Sequence, residues 1–157
     1  LEEYQAASLA FLTKHLTGRP TQVAVDLPEY SEYDCVLKCV GENGDTAYKL
    51  VQLKQLPSHE LNPDADLQSE MNKLKKYACP HLLLSVWINR DVKLDLPRLN
   101  FESLTIEQLW FWGDSPTGDV QIHGGIISDW LSGVCWSGLM RYGKTELQPW
   151  RFRARQP

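Results

Sequence analysis

The sequence predicts an α/β fold, a mixed central sheet flanked by helices, on three observations. Residues 33–54 have the pattern of a β-hairpin. A helical pattern over 64–78 separates that hairpin from a nearly continuous apolar run at 81–88, which makes a βαβ crossover. A further helical pattern opens the chain, so the order is helix, three strands, helix, strand.

The first helix is expected over Leu1–Leu16. At about 100° per residue, Leu1, Tyr4, Leu9, Phe11, Leu12 and Leu16 form one broad apolar face. Glu2 falls at its edge, in line with Leu9 and Leu16, and Glu3 points further toward solvent. Gly18-Arg19-Pro20 stops the helix. Thr21–Val25 is a short strand, and a loop containing Pro28 leads to the hairpin.

The hairpin runs from Tyr33 to Val40 and from Tyr48 to Lys54, around the turn signal Gly41-Glu42-Asn43-Gly44-Asp45. A two-residue turn at Asn43-Gly44 would set Asp34 opposite Leu53. A three-residue loop, with Gly44 left-handed as a bulge, sets it opposite Gln52. The second register, or an equivalent one-residue irregularity elsewhere in the hairpin, puts Asp34 on the face that Gln52 and Lys54, two positions apart, already share.

After Lys54, Asn62 is placed to cap a helix with Pro63 first and Asp64 and Asp66 in its first turn. Leu67, Met71, Leu74 and Tyr77 or Ala78 form its buried stripe, and Pro80 ends it. His81–Ile88 then has the composition of a strand covered on both faces, expected parallel to 48–54 with the helix packed over them. The rest is a Trp-rich C-terminal extension, 91–157, expected to cover the sheet. Thr105–Trp112 has a helical look, Ser115–Gly125 is turn-rich, and Ile126–Met140 is apolar but interrupted by Gly133 and Gly138. The whole is read as one domain, with its core in 1–90.

Composition narrows the class. The chain has 157 residues, 43% hydrophobic and 23% charged, and a net charge of −4, which excludes a generally polybasic protein. A local basic face suffices to follow phosphates. No stretch approaches the apolar length of a membrane span. Cys35 and Cys39, roughly 13 Å apart along one strand, are too distant to bridge, and Cys79 and Cys135 complete no metal-like spacing. A reduced, cytoplasmic protein is expected. The chain opens on Leu1 rather than Met, so a longer N-terminus is expected.

Asp34, Gln52 and Lys54, together with this order of elements, resemble the PD-(D/E)xK nuclease superfamily, the restriction-endonuclease-like fold with its αβββαβ core. The form is the Asp…Gln-x-Lys variant similar to Mrr-type restriction enzymes. The resemblance spans roughly residues 1–90. It implies metal-dependent hydrolysis of a phosphodiester, in a DNA endonuclease or nuclease domain. Mg²⁺ or Mn²⁺ would be held by Asp34, the amide oxygen of Gln52 and the carbonyl of Leu53, with Glu2 adding a second carboxylate. Lys54 would act on the attacking water and the phosphate. Gln52 departs from the commoner Glu and removes one negative charge.

For DNA contacts, Lys73, Lys75, Lys76, Arg141 and Lys144 are the candidates. DNA is the expected partner, with no membrane, and either a homodimer or further domains of a longer protein. The alternative is a catalytically inactive module of the same fold that binds nucleic acid or protein. Taken singly, an Asp at a strand start is ordinarily solvated, and alternating Gln and Lys ordinarily mark an exposed edge.

Overall fold

A computed structural model describes residues 2–25, 33–73, 79–92, 94–95, 98–102, 104–114, 119–131, 134–141 and 144–151. Among the described residues, eight strands form a single mixed sheet in the sequential order β1-β2-β3-β4-β5-β6-β7-β8. They are β1 (Thr21–Ala24), β2 (Cys35–Val40), β3 (Thr46–Leu56), β4 (Leu82–Ile88), β5 (Gln108–Asp114), β6 (Val120–Ile126), β7 (Val134–Arg141) and β8 (Lys144–Arg151). The helices are α1 (Glu2–Thr17), α2 (Leu67–Asn72) and α3 (Ile127–Leu131).

The helix α1 ends where its sequence can no longer continue. Gly18 takes φ +68°, and its N–H donates to Lys14 O at 2.9 Å, a left-handed stop that glycine adopts without steric cost. Its buried stripe is Gln5, Ala6, Leu9, Ala10 and Leu12. Tyr4 and Phe11, expected on the apolar face, are exposed by more than half. Small Ala6 and Ala10 meet the sheet instead, because they let the helix approach Cys35, Leu37, Val51 and Leu53 closely.

The β2–β3 hairpin adopts the bulged register. Val40 pairs with Thr46 and Cys35 with Val51. Gly44 N–H donates to Gly41 O at 3.0 Å, Gly41 N–H to Asp45 O at 2.7 Å, and Gly44 has φ +81°. β3 and β4 pair in parallel, Gln52 beside Leu84 and Lys54 beside Val86, as the crossover predicts.

The connecting helix starts later than expected. Its cap is Asp66, whose side chain accepts from Ser69 N–H at 2.9 Å, while Asn62 Oδ1 instead accepts from Asp64 N–H in the preceding loop. The helix is described over Leu67–Asn72; Leu74, Tyr77 and Ala78 lie outside the described residues. Leu67 and Met71 anchor it in the core on this face of the sheet, and each such burial is worth about 1.5–3 kcal/mol.

The C-terminal region extends the sheet rather than covering it. The stretch 105–112, read as helical, contributes β5, which pairs in parallel with β4: Leu84 with Leu109, Val86 with Phe111. Its aromatic content suits a buried strand, and Leu109 and Phe111 are wholly buried. The turn-rich 115–125 yields β6 from Val120 onward, and 126–140 divides into α3 and β7. Among the described residues no helix is long and apolar enough to cross a membrane.

Even-numbered residues of β4 face one side of the sheet, with α2 and the 99–106 segment, through Phe101, Leu104 and Ile106. Odd-numbered Leu83 and Trp87 face α1.

Candidate functional site

β3 outruns β2 by several residues, so its last positions have no β2 neighbour. Asp34 sits just before the first β2 residue, held by its own N–H donating to Val51 O at 3.0 Å. Its carboxylate reaches into the vacated lane. Asp34 Oδ2 accepts from Leu53 N–H at 2.6 Å and from Gln52 Nε2 at 2.5 Å. Neighbouring N–H and C=O of one strand residue point the same way, so the Leu53 carbonyl faces this lane too.

Gln52 is 4% exposed, an amide in the middle of the sheet. Its Nε2 turns to the carboxylate because two acceptor oxygens would repel each other. That leaves Gln52 Oε1 buried with no hydrogen-bond donor. An orphaned acceptor of this kind costs about 1–3 kcal/mol.

Burial pushes the Asp34 carboxyl above the ordinary carboxylate range. The Leu53 N–H, the Lys54 charge and the Gln52 amide oppose that shift, and the charge of Glu2 adds to it. Both charges thus act on Asp34, Glu2 from the start of α1 and Lys54 from β3. Tyr4 against Trp87, centroids 5.6 Å apart, fixes the start of α1 at the far end of β4. Asp34, Gln52 and Leu53 are therefore in direct contact, with Lys54 two positions on from Gln52 and Glu2 on the α1 side.

The other predicted residues are not. Lys73 is exposed and paired with Glu70 at 2.6 Å. Lys75 and Lys76 lie outside the described residues. Arg141 and Lys144 are paired backbone positions of β7 and β8, at the same end of the sheet as Lys54 but four and five strands away, roughly 20–25 Å at ordinary strand spacing.

Two residues escaped the sequence reading. Gln5, 3% exposed, lies on the buried stripe of α1 one turn after Glu2, and its only sequence signal was an amide at an inward position. Arg90 follows β4 and donates to Pro57 O (2.5 Å), Ala65 O (3.1 Å) and Asn62 O (2.7 Å). It ties down the loop after Lys54; a lone Arg after an apolar run carries no such signal.

The described residues contain no cluster of three or more His, Cys, Asp or Glu able to hold a metal. The donors at this spot are one carboxylate, one orphaned amide oxygen and one main-chain carbonyl. All are hard oxygens, as Mg²⁺ requires, and Mg²⁺ ordinarily keeps several waters. The residues fit a weakly held hard cation. Comparison with profiles of protein families, with curated proteins and with solved structures finds no match to this chain.

Proposed function

We propose that the chain is a metal-dependent nuclease, or nuclease domain, of the restriction-endonuclease-like fold, hydrolysing phosphodiesters of DNA at Asp34, Gln52 and Lys54. The observation that carries this reading is the buried Gln52 amide, whose Nε2 donates to the Asp34 carboxylate and whose Oε1 has no donor, on the face shared with Lys54. The order α1-β1-β2-β3-α2-β4, with β3 and β4 parallel, also agrees with the αβββαβ core that the resemblance implies.

Mg²⁺ or Mn²⁺ held by Asp34, Gln52 Oε1 and the Leu53 carbonyl would polarise the phosphate and acidify a bound water. Gln52 would turn its oxygen toward the cation, and Glu2 would add negative charge from the α1 side. Lys54 opposes the charge that builds on the phosphate and orients the attacking water. Arg141 and Lys144 would meet phosphates a duplex width away.

The test is cleavage of plasmid DNA in Mg²⁺ or Mn²⁺, stopped by EDTA. Asp34→Ala and Lys54→Ala should each reduce the rate by at least about a hundredfold, Lys54→Ala with metal binding intact. Activity that persists in the double variant would place the chemistry elsewhere. The second reading, an inactive module of the same fold, is favoured by one observation: an amide stands at a carboxylate's place. It expects no cleavage with any metal and DNA affinity unchanged by Asp34→Ala.

A further inference from the structure

On the α1 side of the sheet lies a cavity of about 460 Å³, far from Asp34, at the end where β3–β5 begin. It opens between α1, at Leu9, Leu12 and Leu16, and the sheet, at Leu83, Trp110 and Trp136. Its polar neighbours are already occupied with one another. Lys49 bonds Glu107 at 2.5 Å, and Trp110 Nε1 donates to Gln108 Oε1 at 3.1 Å. The Thr13 hydroxyl donates to Leu9 O and the Thr17 hydroxyl to Thr13 O, both at 2.8 Å. Cys39 Sγ meets Thr21 Oγ1 at 3.8 Å.

The walls are flat and fixed. Trp110 lies directly on Gly124, where a Cβ would stand 2.0 Å from its ring. Trp112 donates to Ser85 Oγ at 2.8 Å and stacks on Trp87 at 5.9 Å and 18°. Trp136, 44% exposed, stands on the strand beyond Gly124.

We propose that this cavity is a binding site for an uncharged, flat, apolar molecule of two or three fused or linked rings. The volume is about three times the ~150 Å³ that holds one benzene, and within the range of small-molecule sites. The ammonium, the threonine hydroxyls and the Trp110 and Trp112 N–H groups are paired internally, so the lining offers a charged head group little to pair with and binding rests on apolar area and ring stacking. The inference is independent of the nuclease reading, since the two sites occupy opposite faces of the sheet.

Titration of the full chain with N-phenyl-1-naphthylamine tests it, followed by probe emission, tryptophan quenching and calorimetry. One site per chain is expected. Thr13→Phe, which places a ring in the cavity, should weaken binding at least tenfold, while Asp34→Ala should leave it unchanged. If Thr13→Phe does not fold, the Trp110 indole N–H resonance of the unaltered chain decides: it should move and saturate with the probe. Absence of saturable binding, full affinity in a folded Thr13→Phe, or a static Trp110 resonance overturns the proposal. So does displacement of the probe by 1-decanol at lower concentration than by acenaphthene, because that assigns the cavity to an acyl chain.

Discussion

Asp34 carries a burial penalty that two N–H donors and Lys54 only partly offset. Its folded-state proton affinity is raised, so the sign of the pH effect follows. Well below the ordinary carboxylate value both states hold the proton. As pH rises through that value the unfolded chain ionises first, and stability falls until folded Asp34 ionises as well. Asp34→Asn keeps an acceptor for Leu53 N–H without the charge. It should raise the melting temperature at pH 7 and flatten the decline between acid and neutral pH, as read by thermal unfolding. His123 works in the other direction, since burial lowers its proton affinity and stability should fall as pH drops below about 6.5. Gln52→Glu sets a second carboxylate beside Asp34. Without metal it should cost more than about 1–3 kcal/mol, the range for a neutral unpaired group. With Mg²⁺ it should bind the cation more tightly than the parent, by calorimetry, and recover most of that loss. Among these residues Asp34, Gln52 and Lys54 were legible as candidates, but their shared face hung on which of two turns formed, and the structure has the bulged one. The burial of Gln52 was not, since it depends on β4 and β5 arriving from 30 or more positions away.

At the scale of elements, the hairpin turn and the β4–β5 crossing are the most sensitive points. Gly44→Ala must keep φ +81° with a Cβ and should cost about 1–2 kcal/mol, with Gly44→Asn costing less; denaturant unfolding measures both. Gly113→Ala is expected to be worse. Its Cβ would lie 2.5 Å from Ile88 O, a backbone atom that cannot turn aside, so β5 would have to separate from β4. The hairpin was readable because Asn43-Gly44 and alternating apolar residues are local signals. β5 was not readable for the opposite reason. Gln108-Leu109-Trp110-Phe111-Trp112 is apolar on both sides, which suits a doubly covered strand and a buried helix alike. What decides is the open edge of β4, and nothing in residues 105–112 announces it. On α1 the helix was legible but not its buried face, because Ala6 and Ala10 outcompete Tyr4 and Phe11 where the backbone must come close.

For the molecule as a whole, the residues after 91 supply half of the strands of the sheet and part of its main core, with Phe101, Leu104 and Ile106 from the segment before β5 and Leu109 and Phe111 from β5 itself. A fragment of residues 1–90 should therefore show no cooperative melting transition by circular dichroism, although it holds every proposed catalytic residue. The arrangement also dictates an order of assembly. The β2–β3 hairpin closes across a few residues, but Leu50 must find Leu82, 32 positions on, and Leu83 must find Gln108, 25 positions on. Long closures of this kind are slow. In refolding followed by pulsed hydrogen exchange, amides of Leu37 and Lys49 should gain protection before those of Leu84 and Phe111. Asp34 and Gln52 would thus face each other early in a still-wet hairpin and lose their water only when β4 docks. A chain emerging from the ribosome would carry its candidate chemistry in hand long before it could use it.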